Sequence, residues 1–189
     1  MATNDRRGNR LQTYTGVQFW PCDPRPEDVR VEDIAHALAL QCRFAGHCRV
    51  PYSVAEHSVR VSDYVWHATN GDRVAALAGL LHDASEAYCV DVPRPLKPFL
   101  EGYREIEHGV MHAIETWAGL PIGACEGRVV KHADEVLLMS EARDLMGAPP
   151  APWTFAQGVA AKPLPEVIVP WGWERAEGEF LSMYARLCR

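Results

Sequence analysis

Several absences narrow the class of this chain. No apolar run approaches the roughly 20 residues that span a bilayer, so no membrane helix is expected. Met1 to Arg10 is polar and has no apolar signal-peptide core, which points to the cytoplasm. The cysteines (Cys22, Cys42, Cys48, Cys89, Cys125, Cys188) include no Cys-x-x-Cys pair. Neither a cysteine-rich zinc site nor a disulfide framework is therefore expected, and the thiols are read as free and packed. There is no surplus of positive charge. The net charge of -6 argues against a surface for polymeric nucleic acid, though it leaves room for a small phosphorylated substrate in a local basic pocket. His108 and His112 stand at i, i+4 without a Glu after His108, so the helical metalloprotease pattern is missing. They are read as structural or solvent-facing. Internal repeats, low-complexity tracts and signs of a second domain are lacking too.

What is present is an ordinary globular composition, 48% hydrophobic and 23% charged over 189 residues, enough for one domain with a substantial core. Residues 1 to 12 are polar and read as a flexible tail, leaving 13 to 189 as the domain. Thr13 to Pro26 reads as an extended arm or hairpin around Gly16, with Phe19 and Trp20 packing on the body. Helices are expected over about 31–44, from Ser53, over 75–91, 102–118, 126–146 and 174–187. Ser53-Val54-Ala55-Glu56 matches a capping box and Asp72 suits the cap of the next helix. The long connection 147–165 is rich in Pro, Ala and Gly, with Trp153 and Phe155 as anchors. The fold class is all-α. Trp20 and Trp153, apolar residues outside the helices, are expected to cover an interface between protomers of a homo-oligomer.

The chain is organised around Ala75 to Lys97. An apolar helix carrying Leu77, Leu80 and Leu81 runs into His82, Asp83 and Glu86, polar groups that are costly to bury without a partner. Spacing places all three on one side of a continuous helix, which Pro93 and Pro95 end near Asp91. His57, one turn into its own helix, and Asp134, beside the inner face of another, complete a set of two imidazoles and two carboxylates. That set suits divalent Mn, Fe, Co, Ni or Zn better than Mg. Glu86 is placed to orient a water or move its proton. Arg43, Arg94 and Lys97 are candidates for neutralising phosphate.

At these residues the chain resembles the HD-domain phosphohydrolases. The resemblance rests on Ser53-Val54-Ala55-Glu56-His57-Ser58, His82-Asp83-Ala84-Ser85-Glu86 and Asp91-Val92-Pro93-Arg94-Pro95-Leu96-Lys97. It is similar to the branch of 5'-deoxynucleotidases and phage deoxynucleoside triphosphohydrolases. The resemblance implies a single HD-domain helical bundle in which His57, His82, Asp83 and Asp134 hold the metal. It implies that Glu86 is the acid/base residue assisted by Asp91, and that Lys97 contacts phosphate. Arg43-Phe44 matches a nucleotide-contacting pair that usually has Trp second. The branch that cleaves cyclic dinucleotides carries a Gly-Tyr-Pro motif, absent here, and hydrolases of guanosine tetraphosphate have an acidic residue where Ala87 stands.

The implied function is metal-dependent hydrolysis of a deoxynucleotide, with no membrane or polymer partner. Phosphate release from a 5'-monophosphate and triphosphate release from a dNTP, dATP included, both stay open. The alternative is a catalytically silent nucleotide-binding module on the same fold.

Overall fold

The apolar spacings account for most elements of the computed structural model, which describes residues 5–151 and 161–189. The fold is all-α, with one small hairpin at its start. Trp153 and Phe155 lie outside the described residues.

In the hairpin, β1 (Leu11–Gln12) pairs antiparallel with β2 (Gln18–Phe19), Leu11 opposite Phe19. Gly16 makes the turn at φ +87°, a conformation that favours a residue without Cβ. Phe19 is buried and its ring stacks 3.8 Å from that of Tyr88. The segment expected to be a tail, residues 1 to 12, is described from residue 5. Arg6 pairs with Asp23 at 2.7 Å and Asp28 at 2.9 Å, and its guanidinium lies 4.3 Å over the Trp20 ring. Two carboxylates and an aromatic face together offset the entropy of ordering the segment. The same contact covers Trp20 within its own chain, where the ring is buried.

The first helix, α1 (Val31–Leu40), buries Ile34, Ala35, Leu38 and Ala39. It stops short of the expected residue 44. Gln41 turns extended and Cys42 bridges to Ser53. The Gln41 amide donates to Glu86 O at 3.0 Å, and its Oε1 accepts the Asp91 N–H at 3.1 Å. A tertiary tie to residues 86–91 thus ends the helix.

The central element is α2 (Val54–Ala68), packed against α1 and three helices that follow: α3 (Arg73–Leu81), α6 (Arg128–Leu145) and α7 (Trp173–Leu187). Val54, Val61 and Val65 form its buried stripe. Only half of the capping box is made. Ser53 Oγ accepts the Glu56 N–H at 3.1 Å, but the Glu56 carboxylate turns inward to Arg60 and the Trp171 N–H. Burial beside an arginine and a free amide is a better satisfied arrangement for this carboxylate than a return to the cap. Asp72 caps α3 by accepting from the Val74 and Ala75 amides.

Close approach of α3 to α2 depends on Gly79. A Cβ there would lie 3.2 Å from Val65 Cγ2 and 3.3 Å from Ser62 Cα. Beside it Ser62 Oγ donates to Ala76 O at 2.8 Å. This contact sets the end of α3, and therefore His82, against α2.

The helix expected to run on to Asp91 breaks at His82. Tight bonds, Ala84 N–H to Leu81 O and Glu86 N–H to Asp83 O, make a turn. One further turn, α4 (Glu86–Cys89), follows and ends at Val90, φ +68°. The turn aims His82 and Asp83 at one point, which a straight helix does not do for adjacent residues. Helix α5 (Tyr103–Trp117) follows the Pro-fixed loop as expected, and Trp117 stacks on Tyr184 of α7. No helix among the described residues is long and apolar enough to cross a membrane. All six cysteines are free.

Candidate metal centre

Three segments bring the metal-type residues together. His57, fully buried in α2, directs Nε2 toward His82 Nε2 at 3.2 Å, Asp83 Oδ2 at 3.6 Å and Asp134 Oδ1 at 3.3 Å. His82 Nε2 stands 3.2 Å from Asp83 Oδ2. Its Nδ1 donates to Gly79 O at 2.8 Å, which fixes the ring with Nε2 inward. His57, His82 and Asp83 each offer one ligand atom, all within 4.8 Å of one another, so this group can hold a metal ion. Asp134, on α6, joins them through His57.

The electrostatics favour an anionic donor set. Burial pushes Asp83 up, but His82, His57 and Arg43 outweigh it and hold the carboxylate well below its usual range. Burial likewise opposes the ionised form of Asp134, which the His57 and His82 contacts hold down at about 2. Burial and Arg43 push His57 down, whereas Glu141 and Asp134 raise it to about 9. A cation entering the cluster therefore competes with a proton on His57.

Glu86 lies beside this group. Burial, then the charges of Asp83 and Asp91, push its carboxyl well above the usual range, against Arg43 and Lys97. Oε1 is 3.9 Å from Lys97 Nζ, and Oε2 is buried with no hydrogen-bond partner among the described residues. Asp91 is also raised, chiefly by burial.

The expected phosphate-neutralising residues sit in different settings. Arg43 is buried, with Nε donating to Glu141 at 3.1 Å and a terminal nitrogen 3.4 Å from Asp83. Burial opposes its charge, yet Glu141, Asp83 and Asp134 raise it above its usual range. The Phe44 ring lies 5.5 Å beneath the Arg43 guanidinium, on backbone at φ +56°. Lys97 donates to Glu107 at 2.7 Å. Arg94 is 71% exposed at the rim, 3.4 Å from Asp134. His36, His108 and His112 stay outside the cluster. His36 stacks on Tyr14 and pairs with Glu177, while His108 and His112 face solvent.

Sequence reasoning passed over Glu141. It is fully buried on α6, two turns after Asp134 and on the same side. His57 Nδ1 lies 2.6 Å from its Oε1, and Tyr52 Oη donates to the same oxygen at 2.9 Å. The available signal was a carboxylate seven residues from a suspected ligand, in register with the apolar positions Val130, Ala133 and Leu137.

No family model matches the chain. Over 174 residues it is 35% identical to the uncharacterized protein YfdR of Escherichia coli (strain K12), covering 92% of this chain and 93% of the relative. Over 131 residues it is 38% identical to the uncharacterized protein RCAP_rcc00048 of Rhodobacter capsulatus, covering 66% of this chain and 67% of the relative.

Proposed function

The chain belongs to the family of YfdR, and from the cluster at its centre we propose that it is a metal-dependent phosphohydrolase acting on deoxynucleotides. The observation that carries the reading is the convergence of His57, His82 and Asp83, with Asp134 behind them, next to a buried carboxyl with an oxygen that has no partner among the described residues. A scaffold histidine seldom meets a second histidine and two carboxylates, whereas a metal site needs such a set.

The donors fit a divalent transition ion, Mn, Fe, Co, Ni or Zn, with His57, His82, Asp83 and Asp134 as its holders. Such an ion, when bound, supplies Lewis acidity toward a phosphoryl oxygen and lowers the pKa of water. Glu86 does the proton work. Its Oε2, buried without a hydrogen-bond partner among the described residues, is the atom placed to pass a proton between water and the leaving oxygen of the substrate. Asp91, across the turn, contributes to the raised proton affinity of the Glu86 carboxyl. Arg94 offers an exposed guanidinium to a phosphate at the rim. Phe44, beside the buried Arg43, is the candidate contact for the nucleoside.

Charge balance favours the 5'-monophosphate over the triphosphate. Arg43 and Lys97 already face carboxylates, which leaves less positive charge for a chain of three phosphates. The test is a panel of deoxynucleoside mono- and triphosphates with Mn, Co and Zn, products resolved by chromatography. The expected products are deoxynucleoside and inorganic phosphate. If no substrate is cleaved with any of these ions, the reading fails and the nucleotide-binding module takes its place.

A further inference from the structure

A buried glutamate is costly unless its surroundings use the charge. Glu141 has no exposed surface, and three donors converge on it, Arg43 and Tyr52 from the connection between α1 and α2 and His57 from α2. On Oε1 it receives Tyr52 Oη at 2.9 Å and the Nδ1 side of His57 at 2.6 Å. On Oε2 it receives Arg43 Nε at 3.1 Å. The Arg43 guanidinium then reaches Asp83 at 3.4 Å. One carboxylate therefore touches a member of the cluster directly and a second through an arginine, while standing outside the cluster itself.

We propose that Glu141 is the positioning residue of the metal centre: it commits His57 Nδ1–H to itself, so that Nε2 faces His82, Asp83 and Asp134, and it holds Arg43 where that side chain orients the Asp83 carboxylate. The proposal rests on the metal-dependent reading above. Its physical basis is that a ligating imidazole is oriented by the partner of its other nitrogen. An ionised carboxylate can only accept, which leaves a single tautomer for a metal-binding His57. An amide in place of the carboxylate keeps one acceptor oxygen but loses the charge. It also sets an NH₂ group against either His57 or Arg43.

The experiment compares Co²⁺ titration, read by visible absorption, for the unaltered protein, Glu141→Gln and Glu56→Gln. Glu56 is the control: it is equally buried, one residue before His57, but its partners are Arg60 and the Trp171 amide. The expected result is a loss of Co²⁺ affinity of about 10- to 100-fold in Glu141→Gln. Glu56→Gln should lower the melting temperature and keep Co²⁺ affinity within twofold. An equal loss of affinity in both variants, tracking stability, overturns the proposal. If Glu141→Gln does not fold, ¹⁵N NMR of the zinc-loaded unaltered protein decides: metal on Nε2 of His57 with a protonated Nδ1 supports the proposal, and metal on Nδ1 overturns it. A protein that takes up Co²⁺ in this pattern but cleaves no phosphate ester refutes the hydrolase reading and leaves the role of Glu141 standing. A protein that takes up no divalent ion refutes both.

Discussion

Replacing Gly79 by alanine sets two opposed terms against each other. In a helix interior alanine is favoured over glycine by about 1 kcal/mol, and on that ground alone the variant would be more stable. The added methyl, however, meets Val65 Cγ2 at 3.2 Å and Ser62 Cα at 3.3 Å. Val65 is β-branched and stiff in a helix, and Ser62 contributes backbone tied across the contact by its bond to Ala76 O. Neither can step aside without moving α2 from α3. Overpacking of this kind costs about 1 to 3 kcal/mol. The steric term wins by about 1 kcal/mol, which for a chain of this size lowers Tm by about 2–4 °C. The displacement has a second reading, because His82 follows three residues later, immediately past the end of α3. Widening the α2–α3 contact stretches the 3.2 Å separation of His57 and His82. Co²⁺ affinity should therefore fall together with Tm. Scanning calorimetry and a Co²⁺ titration on the same preparations test this. A Tm that rises, as helix propensity alone dictates, would refute the account of how the two helices set the site.

Further outcomes follow from the site. Glu86→Ala should retain metal and lose turnover on the order of a hundredfold or more, whereas Asp83→Ala should lose both; metal content measured beside single-turnover rates separates the cases. Arg43→Ala removes the cation between the buried Glu141 and the half-buried Asp83 and should cost on the order of 3 kcal/mol in urea unfolding; a change confined to KM would show that Arg43 is not held as described. Asp144, held low by Arg143 against the effect of burial, also binds the Ile168 amide at 2.8 Å. The stability it contributes should be whole above the ordinary carboxylate pKa of about 3.9 and be lost as pH falls through its lowered value, and Asp144→Ala should speed hydrogen exchange at Ile168.

Which parts of this were readable from the chain depends on how far each determinant reaches. Helices α5 and α7 carry their boundaries locally, in Gly119 and Pro121 for one and in a regular apolar stripe for the other, and both fall within a residue or two of the expected spans. The end of α1 was not readable, because no local breaker ends it: Gln41 leaves the helix to bind residues 86 and 91. The break at His82 was hidden for a related reason. Leu77 to Glu86 has no Pro, and His82, Asp83 and Ser85 are weak formers of a kind found inside many helices, so the turn there is explained only by the meeting with His57. The His82-Asp83 pair announced a site through its cost after an apolar run. Glu141 did not, since its meaning lies in Tyr52 and Arg43, 89 and 98 residues away.

The bond from the Trp171 amide to Glu56 spans 115 residues. It bears on the order in which the molecule comes into being. During synthesis His57 and His82 leave the ribosome well before Asp134 and Glu141, and Glu56, next to His57, waits longer still for Trp171. Contacts of such range form late, after the entropy of closing the intervening loops has been spent. A nascent chain thus carries His57, His82 and Asp83 before Asp134 and Glu141 are made, and the cluster is complete only once α6 has packed on α2.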